Sequence, residues 1–284
     1  MTLEVEGVAQ AERAIAEAFS AGASGLEEHA ASGTGILVLS VYAPQTRAAA
    51  VREALQAALG PQLCLGPDQV LEPVDWSNAW REDLRPLVIS PRLLVCPVSL
   101  QVKTAEGQQR LWIEYGQAFG TGRHASTRLA LELLDGCLPA LPQARLLDVG
   151  TGSGILAIAA LLLGATSAIG FDLDLLAAPA AHRNARRNRV ETRLGLFTGP
   201  LAALSPGVRG FDVVCANLLR SELLPLLPPL AACVRRGGHA VFSGLLASEE
   251  AGLVAQLEAH GLRPIAARYA EDGGERWLGL LTQR

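Results

Sequence analysis

Residues 146–157 read Leu-Leu-Asp-Val-Gly-Thr-Gly-Ser-Gly-Ile-Leu-Ala, and this segment restricts the fold more than any other. An apolar run ends in an acid, passes through three alternate glycines and enters a second apolar run. Such a pattern predicts a buried strand, a tight turn and a helix whose first N–H groups stay free for a ligand. A strand apolar on both faces needs helices on both faces, which points to a parallel sheet. The rest of the chain agrees. Predicted strands at Arg145–Val149, Ser167–Phe171, Phe211–Ala216 and His239–Ser243 alternate with helices at Ile155–Leu163, about 175–189, a proline-broken stretch after 217, and Ser248–His260. Two strands around Asp272-Gly273-Gly274, a hairpin turn signal, close the chain, so the last strand should be antiparallel. The expected class is α/β, with a doubly wound, Rossmann-like sheet.

The N-terminal part is built differently. Leu3 and Val5 alternate with Glu4 and Glu6, as in a half-buried strand, and Ala11, Ile15, Ala18 and Phe19 recur at helical spacing. A weak strand at Gly25–Glu28, a strong one at Ile36–Tyr42, a helix bearing Val51, Leu55 and Leu59, and a possible strand at Gln62–Leu65 complete a β-α-β-β-α-β order. This is the ferredoxin-like α+β arrangement. With no chemistry-bearing residue in it, its expected use is recognition. The expected division is therefore 1–66 for this domain, 67–86 for a linker and 87–284 for the α/β domain. In the linker Asp75 can cap a short helix with Trp76, Trp80 and Leu84 on one stripe. Those tryptophans suit a substrate platform, but packing between domains accounts for them better. Leu93–Val98 and Leu111–Ile113 read as paired strands with Thr104–Gly107 as the bend.

Composition removes several function classes. The 284 residues are long enough for roughly two domains, and 50% of them are apolar against 18% charged, which excludes a disordered chain. The net charge of −4 argues against phosphate neutralisation, so direct DNA binding is not expected. The apolar runs Ile155–Leu163 and Leu223–Val234 fall short of the ~20 residues of a membrane span. The N-terminus lacks a basic-then-apolar export signal, so a cytoplasmic location is expected. Five cysteines without a CxxC pair read as scattered small hydrophobes, and no metal site is expected. Lys103 is the one lysine among 24 basic residues, for which codon bias is sufficient cause. Arg183, Arg186, Arg187 and Arg189 fall on one helix; rRNA contact is conceivable there, but a solvated face is the plainer reading.

Three constellations carry the chemistry. The first is the glycine segment itself, with Asp148, Gly150, Gly152 and Gly154, joined by Asp172 at the end of the next strand. Asp172 stands twenty residues after Gly152, the distance at which a carboxylate meets a ribose. Asp174 reads as the cap of the following helix. The second is Gly116-Gln117-Ala118-Phe119-Gly120-Thr121-Gly122-Arg123-His124-Ala125-Ser126-Thr127, either a loop approaching a ligand or a glycine-rich turn capped by Ser126 or Thr127. The third is Asn217, just past the apolar strand Phe211–Ala216, where open α/β sheets bind ligands. Gly152-x-Gly154-x-x-Ala157 also fits a dinucleotide fingerprint, so residues alone leave an NAD(P)-dependent oxidoreductase open.

Asp148 directly before the glycine series makes D-x-G-x-G-x-G, which resembles motif I of class I S-adenosylmethionine-dependent methyltransferases. With A-F-G-T-G-x-H-x-S-T before it and G-x-D-x-D and D-V-V-x-A-N after it, the chain resembles the PrmA family, methyltransferases of ribosomal protein L11. The linker's D-W-x-x-x-W is similar too, so the likeness runs from about residue 75 to the end. The resemblance implies that Thr127, Gly150, Gly152, Gly154, Asp172 and Asn217 contact S-adenosylmethionine, that Asp148 sits near its amino group and that Phe119 covers it. It implies a protein N-methyltransferase acting on lysine ε-amines and the N-terminal α-amine of large-subunit protein L11. Asn217 and His124 are candidates for positioning the amine, and no side-chain base is assigned. The competing expectations are a protein-lysine methyltransferase with another target, the oxidoreductase above, and a ribosome-assembly binder without activity. A monomer is the default.

Overall fold

The computed structural model describes residues 2–30, 36–60, 65–68, 85–98, 100, 102–114, 124–204 and 208–284. The chain divides into two compact units, Met1–Glu82 and Asp83–Arg284.

The larger unit holds a seven-stranded sheet of β7 (Arg145–Val149), β8 (Ser167–Asp172), β9 (Leu194–Thr198), β10 (Phe211–Asn217), β11 (Val234–Leu246), β12 (Arg263–Asp272) and β13 (Glu275–Gln283). Their spatial order is β12-β13-β11-β10-β7-β8-β9. Neighbours from β11 to β9 run parallel, and β13 runs antiparallel to both β11 and β12. The antiparallel strand thus lies inside the sheet, one place from its edge. Side-chain alternation sorts the strands' apolar residues onto two faces. Leu146, Val213, Cys215 and Val241 join one core with helices α3 (Ala125–Cys137), α4 (Ile155–Leu162) and α5 (Ala177–Arg187). Leu147, Val149, Val214, Ala216 and Phe242 join the other with α6 (Arg220–Cys233) and α7 (Glu250–Ala259). The doubly wound architecture follows from this two-sided burial.

Three local expectations need correction. Helix α6 continues through Pro225, Pro228 and Pro229. All three prolines face solvent while Leu223, Leu227 and Leu230 are fully buried, so core packing carries the helix across them. Strand β9 follows α5, although Leu194–Thr198 carries Gly195 and little periodic signal. Lastly, β5 (Leu93–Pro97) and β6 (Gln109–Ile113) pair in parallel, in a separate sheet with β4 (Leu87–Val88). The turn at Ala105–Gln108 forms, but the chain returns along the sheet before entering β6, so the turn is not a hairpin.

The smaller unit contains β1 (Thr2–Glu6), α1 (Gly7–Ser20), β2 (Gly25–Ala30), β3 (Ile36–Tyr42) and α2 (Ala48–Leu59), with sheet order β1-β3-β2. Its core joins Leu3, Val5, Leu39 and Val41 to Ala14, Ala18, Val51 and Leu55. Leu65 makes an antiparallel bridge to Leu3; most of the fourth strand expected at Gln62–Leu65, and the tryptophan helix of the linker, lie outside the described residues. Cys96, Cys137, Cys215 and Cys233 are buried free thiols. No helix among the described residues is long and apolar enough to cross a membrane.

Candidate functional site

The carboxyl ends of β7, β8, β10 and β11 open into one cavity of about 460 Å³. Gly150, Gly152, Asp172, Asn217 and His124 all line it, so residues from three separate sequence constellations meet at a single sheet edge. Gly154, Thr127 and Asp148 stand behind the wall, and Phe119 lies outside the described residues.

The turn from β7 to α4 needs its glycines for different reasons. Gly150, Gly152 and Gly154 all have positive φ, at 67°, 50° and 80°. A Cβ on Gly150 would come within 2.7 Å of Leu218 Cδ2, and one on Gly154 within 2.9 Å of Ala181 Cβ on α5. The missing Cβ lets Leu218 close onto the loop at one end, where Gly150 and Leu218 both line the cavity, and lets α5 approach at the other.

Asp148 is turned inward. Its Oδ2 accepts from Thr151 Oγ1 at 2.7 Å and from the Ala157 N–H at 3.2 Å, tying loop to helix, while Oδ1 is buried without a hydrogen-bond partner among the described residues. Burial pushes this carboxyl up to about 6 from its usual 3.8; the Thr151 and Ala157 hydrogen bonds oppose the rise and the Asp172 charge adds to it. Between about pH 4 and 6 the folded chain keeps a proton that the unfolded chain has lost, so this group's contribution to stability falls as pH rises. The loss is on the order of 3 kcal/mol at neutral pH. Asp148→Asn is expected to gain stability relative to the parent by about that amount between pH 4 and pH 7, read from denaturant midpoints. A constant parent-to-variant difference across that range would refute the assignment.

Asp172 ends β8 with both oxygens engaged once: Oδ2 accepts from the Gly152 N–H at 2.9 Å and Oδ1 from the Asp174 N–H at 3.0 Å. A carboxylate has about four acceptor positions, so two remain for hydroxyl groups. Asp174 accepts from the Leu176 N–H, shaping the turn before α5, whose N-cap is Leu176.

Asn217 donates from Nδ2 to Thr127 Oγ1 at 3.3 Å. Its Oδ1 is buried in the cavity wall without a hydrogen-bond partner among the described residues, an acceptor set for an N–H or O–H from a ligand. His124, rather than Ser126 or Thr127, is the N-cap of α3, and its Nδ1 accepts from the Ser126 N–H at 3.2 Å. The same Nδ1 lies 2.7 Å from Ser126 Oγ, so this nitrogen is engaged within the cap. Its ring meets Trp277 edge-on at 4.3 Å.

Thr151, Glu222, Gly244 and Trp277 also line the cavity, and the sequence does not single them out. Two of them carry a usable signal: Thr151 lies inside the glycine motif and Gly244 directly follows a predicted strand. Glu222 and Trp277 carry none, since they come from α6 and β13, distant in sequence.

Comparison with known proteins decides among the chemistries this site allows. Residues 4–282 match the family model described as ribosomal protein L11 methyltransferase (PrmA). The chain belongs to the PrmA family. A ribosomal protein L11 methyltransferase of Sorangium cellulosum is 37% identical over 290 aligned residues, 93% of this chain and 89% of the relative. One from Pseudomonas fluorescens is 38% identical, covering 85% and 80% respectively. Among solved structures, ribosomal protein L11 methylase from Lactobacillus delbrueckii subsp. bulgaricus superposes with a TM-score of 0.62 at 30% identity, over 70% of this chain and 98% of that one. As a PrmA-family member the chain is a methyltransferase with S-adenosylmethionine as donor, and the oxidoreductase reading of the glycine segment is set aside. The site fits that donor, with Gly150 and Gly152 in the cavity wall beside a carboxylate that has two acceptor positions left.

Proposed function

We propose that this chain methylates amino groups of large-subunit ribosomal protein L11, namely lysine ε-amines and the N-terminal α-amine, in the cytoplasm. The unpartnered Oδ1 of Asn217 carries the chemical part of this reading, because an acceptor in the cavity wall suits an amine N–H. Family likeness across residues 4–282 supports the substrate. Bound S-adenosylmethionine supplies a methyl group already activated on a sulfonium. Gly150 and Gly152 would leave room for its methionine end, and Asp172 would accept from its ribose hydroxyls. What remains for the protein is alignment, and Asn217 would orient the amine lone pair through one N–H. An ammonium must first lose a proton. With reference values of ~10.4 for lysine and ~8 for an α-amine, methylation should quicken as pH rises through 7–9 without a titrating side chain. The unit 1–66 is assigned to substrate recognition, 67–86 to the linker and 87–284 to catalysis.

Incubation with methyl-labelled S-adenosylmethionine and undermethylated large-subunit proteins tests this. One-methyl mass steps on L11, at lysines or the N-terminus, are expected. Tight cofactor binding with label on some other protein, or on none, would overturn the substrate and leave the enzyme class standing.

A further inference from the structure

Helix α5 carries Asn184 and is C-capped one turn later by Asn188, the two exposed by only 1% and 9%. A buried amide is costly unless its groups are bonded, and these are. Asn188 Oδ1 accepts from the Trp112 N–H at 2.8 Å, and its Nδ2 donates to the Trp112 carbonyl at 2.7 Å. It pairs with the open edge of β6 as a neighbouring strand would. Asn184 Oδ1 accepts from the Glu114 N–H at 2.9 Å, extending the same edge by one repeat. Its Nδ2 turns the other way and donates to the Ser153 carbonyl, inside the glycine loop, at 2.8 Å.

Asn184 is thus bonded on one side to the loop whose Gly150 and Gly152 line the cavity, and on the other to the end of β6. Two residues beyond Glu114 the sequence enters the glycine-rich segment 116–122. The surrounding turn of α5 serves the same junction. Ala181 packs where Gly154 has no Cβ, and Arg183 and Arg187 pair with the Glu114 carboxylate at 3.4 and 3.5 Å. Two members of the arginine run therefore hold the strand end.

We propose that Asn184 is a positioning residue of the cofactor site, locking the glycine loop at Ser153 to the end of β6. Neither half of the amide is dispensable: a leucine would fill the volume but make neither the Ser153 nor the Glu114 hydrogen bond. Asn188 shares the strand contact and lacks the loop contact, so it separates packing from positioning. The inference rests on the glycine loop holding S-adenosylmethionine.

Asn184→Asp keeps an acceptor for the Glu114 N–H and sets an oxygen against the Ser153 carbonyl; Asn188→Asp makes the equivalent change at the Trp112 carbonyl and at the Asn184 main-chain carbonyl, leaving the Ser153 contact in place. Calorimetric titration with S-adenosylhomocysteine, well below each variant's unfolding temperature, should show about tenfold weaker binding for Asn184→Asp, the order of one lost charge-free hydrogen bond. Asn188→Asp should stay within twofold of the parent. Parent-like binding by a folded Asn184→Asp, or equal losses in both variants, overturns the proposal. Absence of binding by the parent overturns the cofactor reading beneath it. Should Asn184→Asp not fold, the side-chain amide resonances of the intact protein decide. Those of Asn184 should shift and gain exchange protection on adding S-adenosylhomocysteine while those of Asn188 do not, and equal responses would refute the assignment.

Discussion

Gly154→Ala is expected to lower the unfolding free energy by about 4 kcal/mol. Gly154 has φ 80° and ψ 8°, a left-handed conformation that costs an L-residue roughly 1–3 kcal/mol. The added methyl would also stand 2.9 Å from Ala181 Cβ and 3.2 Å from its Cα. Ile158 Cδ1, at 3.3 Å, can rotate away, but Ala181 is part of a buried helix backbone and cannot. Overpacking of that kind adds roughly 1–3 kcal/mol. Gly136 is the internal control. It lies exposed within α3, where an added methyl would meet nothing within 4 Å, so Gly136→Ala should stabilise by about 0.5–1 kcal/mol. Denaturant melts of the two variants should move in opposite directions, and a neutral Gly154→Ala would show that α5 does not press on the loop.

Asn217→Ala should reduce turnover of the protein substrate about 10²-fold, the order of loss when a reacting group is misplaced by roughly 1 Å. The fall belongs in kcat, with S-adenosylhomocysteine affinity changed less than tenfold, because Asp172 and the glycine loop are untouched. Asn217→Asp should recover much of the loss. It keeps an oxygen toward the cavity, and the Thr127 hydroxyl, which now accepts from Nδ2, can rotate to donate instead. Normal kcat in the alanine variant would end the assignment of Asn217 to the amine.

Placing Asp172 needs only the local pattern, since an apolar strand ending in an acid twenty residues after Gly152 leaves one sheet edge for that carboxylate. Asp148 is harder. Its position before the glycines is plain, but the direction of its carboxyl is not: Thr151 and the Ala157 N–H, both within ten residues, draw it away from the cavity. For His124 the glycine-rich context suggests ligand contact, whereas the helix that follows also uses the ring as its N-cap. The proline-rich stretch misleads because propensity speaks only for the local chain, and three buried leucines on one stripe outweigh it.

By itself the sequence determined the strand–glycine–helix unit, the alternation that makes a parallel doubly wound sheet, and the edge at which chemistry gathers. Those features follow from side-chain period and from glycine's access to positive φ, which act within a dozen residues. Only the tertiary structure decided that β6 runs parallel to β5, that Trp277 and Glu222 reach the cavity, and that Asn184 spans from Ser153 to Glu114. Such pairings between distant stretches of chain are set by which surfaces pack together, a choice no short window of sequence contains.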